Sequence, residues 1–313
     1  MKNSGNKTIR ILCIFFAFLL LLSSCGGGGE PATADASSEP AAPEESYDPP
    51  KMRTASFHED TAEGNSEVQV DLSRKNKGFF SLYCTSDKKI KLQVFKDDET
   101  YTYDVVKNKE QIFPFQLGNG SYTIKVMKNI QDTKYSELYV TYADVTLEDE
   151  FDPYLRPSQY ANYNAESKCV AKAAELAAEA TDSNDFITNV YKYVTSSVTY
   201  DREKAANIQP GYIPDPDEIF DSGKGICFDY ASLAACMLRS QGIPTQIIFG
   251  YVGDSGDLYH AWNMYYTEES GWVAVEFEVK EDEWNRLDLT FSANGTDSEY
   301  IGDGTNYLDV FHY

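Results

Sequence analysis

The chain has 313 residues, enough for two domains of ordinary size, and its 23 Tyr and 17 Phe can furnish large cores. Against 27 Lys and Arg stand 50 Asp and Glu, a formal charge of -23, which excludes nucleic acid and other polyanions as partners. With three His, and no two of the six Cys at metal-ligand spacing, a zinc site is excluded too.

The first 24 residues read as a secretory signal. Lys2, Lys7 and Arg10 form a positive start and residues 11–22 an apolar run, shorter than the ~20 residues a membrane span needs. Leu22-Ser23-Ser24-Cys25, followed by a run of four glycines, resembles the bacterial lipobox, in which the cysteine becomes a lipidated N-terminus. The expectation is an extracytoplasmic bacterial lipoprotein held to the membrane through Cys25, since several acyl chains anchor where one holds only marginally.

Residues 25–65 are rich in Gly, Ala, Ser, Pro and Glu and read as a disordered tether. His58 falls in this stretch and is given no role. From residue 66 to 148 short alternating runs take over. Val68, Val70 and Leu72 fall on one strand face, Ile90, Leu92 and Val94 on another, then Tyr122, Ile124 and Val126, and finally Leu138, Val140 and Tyr142. Period-two alternation broken by turns such as Gly118-Asn119-Gly120 predicts an all-β sandwich of about seven strands. Tyr101 and Tyr103 are either structural or a binding surface for carbohydrate or protein.

Asp152-Pro153 and Arg156-Pro157 mark the boundary to a second domain, 149–313. Helices are predicted over about 167–180 and, capped by Asp182 or Ser183, to about residue 197. In the latter Phe186, Ile187, Val190, Tyr191 and Val194 share one face. A long polar loop opens at Tyr200-Asp201. Its Asp215, Asp217 and Glu218 read first as a solvated acidic stretch, which leaves calcium open; no other cofactor or metal is expected. Gly223-Lys224-Gly225-Ile226-Cys227 then starts a helix that Gly242 stops. A thiol at the first turn of a helix meets free N–H groups and the positive end of the helix dipole, both of which favour a thiolate. Cys236, in mid-helix, reads as a packing residue. A disulfide such as Cys84 to Cys169 is compatible with an oxidising location. Strands follow at about 246–252, from His260, at 272–275 and at 284–291, so that helices precede an antiparallel sheet in an α+β arrangement.

A cysteine nucleophile needs a base and a group to orient that base. His260 opens a strand after a turn, and Asp288 lies on a later strand from which a carboxylate can fix the imidazole tautomer. Gly225-Ile226-Cys227-Phe228-Asp229-Tyr230-Ala231 with Gly242-Ile243-Pro244, then His260-Ala261-Trp262-Asn263, then Leu287-Asp288-Leu289-Thr290-Phe291 resemble the transglutaminase-like superfamily, from Asp152 onward. The resemblance implies a papain-like α+β core with Cys227 as nucleophile, His260 as base and Asp288 as orienting carboxylate, Glu276 being a rival for the last role. It also implies acyl transfer or hydrolysis at an amide of a protein or peptide through a thioester. The Cys227 N–H is one oxyanion donor, with Tyr200 or Asn263 as the second. The alternative is a surface lipoprotein that keeps the fold and binds without catalysis.

Overall fold

The computed structural model describes residues 46–252, 258–275, 277–279, 287–289 and 307–313, and of these the side chains of 252, 258 and 275–308 are left aside. The signal segment, Cys25 and Glu276 lie outside the described residues. The described residues belong to one compact unit.

Its first described stretch differs from the expected tether. Tyr47 stacks on Phe186 with ring centroids 5.3 Å apart and donates its hydroxyl to the Gln241 carbonyl at 2.6 Å. Arg53 bonds Asp149 at 2.7 Å and Asp152 at 2.5 Å. His58 and Thr61 both bond the Asp71 carboxylate at 3.0 Å. Residues 46–64 thus form a strap that ends in β1 (Glu63–Gly64), paired with β2 (Val68–Asp71). A few anchors such as Tyr47 and Arg53 hold it, and average composition does not register so few side chains.

The β region consists of two four-stranded antiparallel sheets, in the orders β1-β2-β3-β6 and β5-β4-β7-β8. Here β3 is Phe79–Cys84, β4 Ile90–Lys96, β5 Glu99–Val105, β6 Glu110–Pro114, β7 Gly120–Gln131 and β8 Lys134–Val145. The alternating apolar residues of β2, β4 and β7 are buried as the pattern required. In β8 the inward face is the other one. Tyr139 lies opposite Val126, but Glu137 lies opposite Met127, so Leu138 is an extra residue in the ladder. Further along the ladder Ala143 lies opposite Tyr122 and Val145 opposite Gly120, so these two side chains share the buried face of β7 and Tyr142 is left 73% exposed. Tyr101 and Tyr103, at 4% and 1% exposure, are core residues and present no binding surface.

In the second part, α1 (Lys168–Ala178), α2 (Ser183–Ser197) and α5 (Cys227–Ser240) bury their apolar residues in one core. Asp182 caps α2 by accepting the Asp185 N–H at 2.8 Å, and the five predicted residues of its face are the buried ones. The expected polar loop instead contains α3 (Arg202–Asn207) and α4 (Pro216–Ser222). Asp201 caps the first through the Lys204 N–H. Asp215 caps the second, with Pro216 at its first position. Asp at an N-cap, and Asp followed by Pro at the first helical position, are readable start signals, outweighed in the sequence by the prolines between them.

β11 (Thr245–Val252) is flanked antiparallel by β12 (Leu258–Thr267) and β16 (Tyr307–His312), and β13 (Gly271–Val275) borders β12. β14 (Phe277–Val279) pairs antiparallel with β15 (Leu287–Leu289). α5 packs on β11 and β12, giving the mixed fold with a cysteine-bearing helix laid on an antiparallel sheet.

Candidate active site

Cys227 is the first residue of α5, where backbone N–H groups lack intrahelical partners. Gly223 stops α4 at φ 61°, in the left-handed region glycine tolerates. The chain then forms a short parallel pairing, β10 (Lys224–Gly225) on β9 (Thr199–Tyr200). At Gly225 a Cβ would come within 2.6 Å of the Asp229 Cβ, so the turn into the helix closes only without a side chain there.

Cys227 is partly exposed, whereas Cys84, Cys169 and Cys236 are buried free thiols. Burial pushes the Cys84 thiol up. It pushes Cys236 up further, with the neighbouring Cys169 thiol adding to the effect, and such thiols are inert. Tyr200 and Tyr259 both lie within electrostatic reach of Cys227. Burial first, and the nearby thiol second or third, raise the two phenols above the usual range.

The sheet meets the start of α5 through aromatic rings. Phe228 packs edge-on against Phe249 of β11 at 4.7 Å, and Phe249 stacks with Tyr259 of β12 at 6.1 Å. His260 follows Tyr259 along β12, opposite Gly250, and its ring stacks with Trp262 at 6.4 Å. Ala261, Asn263 and Tyr265 belong to the core shared with α5. Asp288 lies at the centre of β15, across from Glu278 of β14; its side chain, like all of Glu276, is outside the described residues.

Asn263 is no oxyanion donor. Both hydrogens of its buried amide are committed, to the Ala231 carbonyl at 3.0 Å and the Gln246 carbonyl at 3.2 Å. Asp215 accepts two N–H groups of α4 and Asp217 accepts the Lys168 N–H at 2.9 Å, so both carboxylates serve helix starts. Among the described residues no cluster of three or more His, Cys, Asp or Glu could hold a metal ion. His312 pairs with Gln246 at 2.8 Å on β16. The sequence reading passed over Asp229, which is fully buried two residues after Cys227 and bonded to Ile226, Lys204 and Tyr212. An acidic residue at the third position of a helix starting Gly-x-Cys was the available signal.

A cysteine at the mouth of a helix, laid on an antiparallel sheet whose neighbouring strand carries a histidine, defines the class of papain-like α+β cores. Residues 170–277 match the transglutaminase-like superfamily, and this part of the chain is a transglutaminase-like domain. Over 103 residues the chain is 33% identical to a protein-glutamine gamma-glutamyltransferase of Pseudomonas aeruginosa, covering 28% of this chain and 15% of that protein. An uncharacterised protein of Mycobacterium leprae is 28% identical over 180 residues, 52% of this chain and 54% of its own length. The chain thus spans about half or less of the curated relatives it matches. The crystal structure of red sea bream transglutaminase is similar with a TM-score of 0.29 at 16% identity, covering 63% of this chain and 47% of that one.

Proposed function

We propose that the protein is a cysteine-dependent acyltransferase or amide hydrolase acting on protein or peptide substrates. The observation that carries this reading is the placement of Cys227. It is the partly exposed thiol among four described free cysteines, and it sits at the open first turn of α5. The name of the Pseudomonas relative supports an amide of a glutamine side chain as one acyl donor.

In this mechanism the Cys227 thiolate attacks the amide carbon. The oxyanion that forms is met by the Cys227 N–H, with Tyr200 as the second donor in place of Asn263. His260 protonates the departing nitrogen, leaving a thioester on Cys227. An amine then takes the acyl group in cross-linking, or water takes it in hydrolysis. Asp288 is assigned the role of holding the His260 ring in one tautomer. Its ladder follows β13, the strand that borders β12. No cofactor is assigned. Cys25 would carry lipid that holds the catalytic part at the outer face of a membrane, where it meets surface proteins or peptides.

Thiol mapping tests the reading on the folded protein. Iodoacetamide at neutral pH should label Cys227 while Cys84, Cys169 and Cys236 stay protected, and His260→Ala should slow that labelling about tenfold or more. A fluorescent primary amine should be incorporated into casein, or ammonia released from it, by the wild type and by no Cys227→Ala preparation. Activity retained in Cys227→Ala would refute the mechanism.

A further inference from the structure

We infer that Asp229, Lys204 and Tyr212 form a latch that clamps residues 201–212 onto the start of α5 and so positions Cys227; this rests on the cysteine mechanism proposed above. Asp229 is fully buried. Its Oδ2 accepts the Ile226 N–H at 2.8 Å and the Lys204 ammonium at 2.6 Å, while its Oδ1 accepts the Tyr212 hydroxyl at 2.5 Å. Lys204 also donates to the Tyr212 oxygen at 2.6 Å, with its Nζ 4.4 Å from the ring centroid. Burial first, and then the bond to Asp229, hold the Tyr212 phenol well above its usual range, so it stays a donor.

A carboxylate removed from water is tolerated only when its lone pairs are met, and here charge-assisted bonds meet them. A buried apolar side chain would serve packing as well or better. The polar cluster instead fixes geometry. Asp229 ties down the residue before Cys227 through its N–H and occupies the same first turn, so the cysteine is held from both sides. Tyr212 extends the clamp, its ring edge-on to Phe228 at 6.2 Å and 84°. The same loop walls a cavity of about 450 Å³ lined by Lys204, Ile208, Pro210 and Tyr212. Lys204 and Tyr212, two members of the latch, therefore also shape that cavity.

Two readouts separate the latch from the catalytic reading. Trypsin cleavage after Arg202 in the native protein reports whether the loop is clamped. Release of p-nitrophenolate from p-nitrophenyl acetate, with Cys227→Ala as the blank, reports acylation of Cys227. Tyr212→Phe should speed the cleavage about tenfold. Asp229→Asn should slow acylation about tenfold or more, since small displacements of a reacting group have effects of this size. Protection of Cys84, Cys169 and Cys236 from iodoacetamide certifies that each variant is folded. A merely structural Asp229 would lower the melting temperature and leave the acylation rate of the folded variant at the wild-type value, which would overturn the positioning role. Unchanged cleavage in Tyr212→Phe would overturn the clamp. If Cys227→Ala releases p-nitrophenolate as fast as the wild type, the catalytic reading and with it the positioning role fall, and the cleavage rate alone then decides whether the clamp exists.

Discussion

Asn263 illustrates what a buried amide does at the scale of one residue. Its Nδ2 joins the Ala231 carbonyl of α5 to the Gln246 carbonyl of β11, so a single side chain ties the cysteine helix to the sheet. Asn263→Ala should cost about 1–3 kcal/mol, the range for leaving buried acceptors without their donor, read as a lower denaturant midpoint. Its effect on catalysis should follow only from loosened packing, because the amide has no hydrogen left to offer substrate. Arg239 works likewise: its fully buried guanidinium donates to the carbonyls of Thr245, Arg156 and Tyr313. Burial lowers its pKa from the usual arginine value.

Among the elements, the strap is held by carboxylates whose protonation state can be set by pH. Burial alone would raise the Asp71 carboxyl, yet hydrogen bonds from Ser73, His58 and Thr61 outweigh it and leave the pKa lowered. Asp149 is lowered in the same way, burial being outweighed by the Phe151 N–H and by Arg53. A carboxylate depressed by folding contributes stability above its unfolded pKa, and that contribution disappears as pH falls through the folded value. The strap should therefore detach on acidification below about pH 4, the unfolded aspartate range. Hydrogen exchange of residues 52–64, corrected for intrinsic rates, should quicken between pH 5 and pH 3 before the exchange of α5 does. Equal protection of both segments down to pH 3 would refute this order of release.

Across the whole molecule, Tyr313 is the wedge between the β region and the α/β region. Its ring lies 5.2 Å from Tyr101, 5.3 Å from Tyr103, 4.8 Å from Tyr160 and 5.5 Å from Phe249. Its backbone exchanges bonds with Ile247 at 2.7 and 2.8 Å. Truncation of a large buried aromatic side chain typically costs about 3–5 kcal/mol. Tyr313→Ala should lose an amount in that range and lower the thermal midpoint of both regions together, as measured by calorimetry. A midpoint within a degree or so of the wild type would show that the two regions do not depend on this residue.

The sequence by itself determined the elements whose signals are local. Gly223 and Gly225 before Cys227, and Gly242 at φ 86° after the helix, bracket α5 because only a few residues set a helix start and stop. The capped, five-residue apolar face of α2 and the alternation of β4 and β7 were legible for the same reason. The cysteine's place at a helix mouth, and hence the candidate site, came with them. Tertiary structure alone decided the rest. The pairing of β8 on β7 decides which face of β8 is buried, Tyr101 and Tyr103 turn out to be covered by Tyr313, and residues 46–64 are strapped down. Asp229 finds Lys204 and Tyr212 across 25 and 17 residues of chain. Each of these depends on partners distant in sequence, and local periodicity carries no information about which distant surface will exclude water from a given side chain.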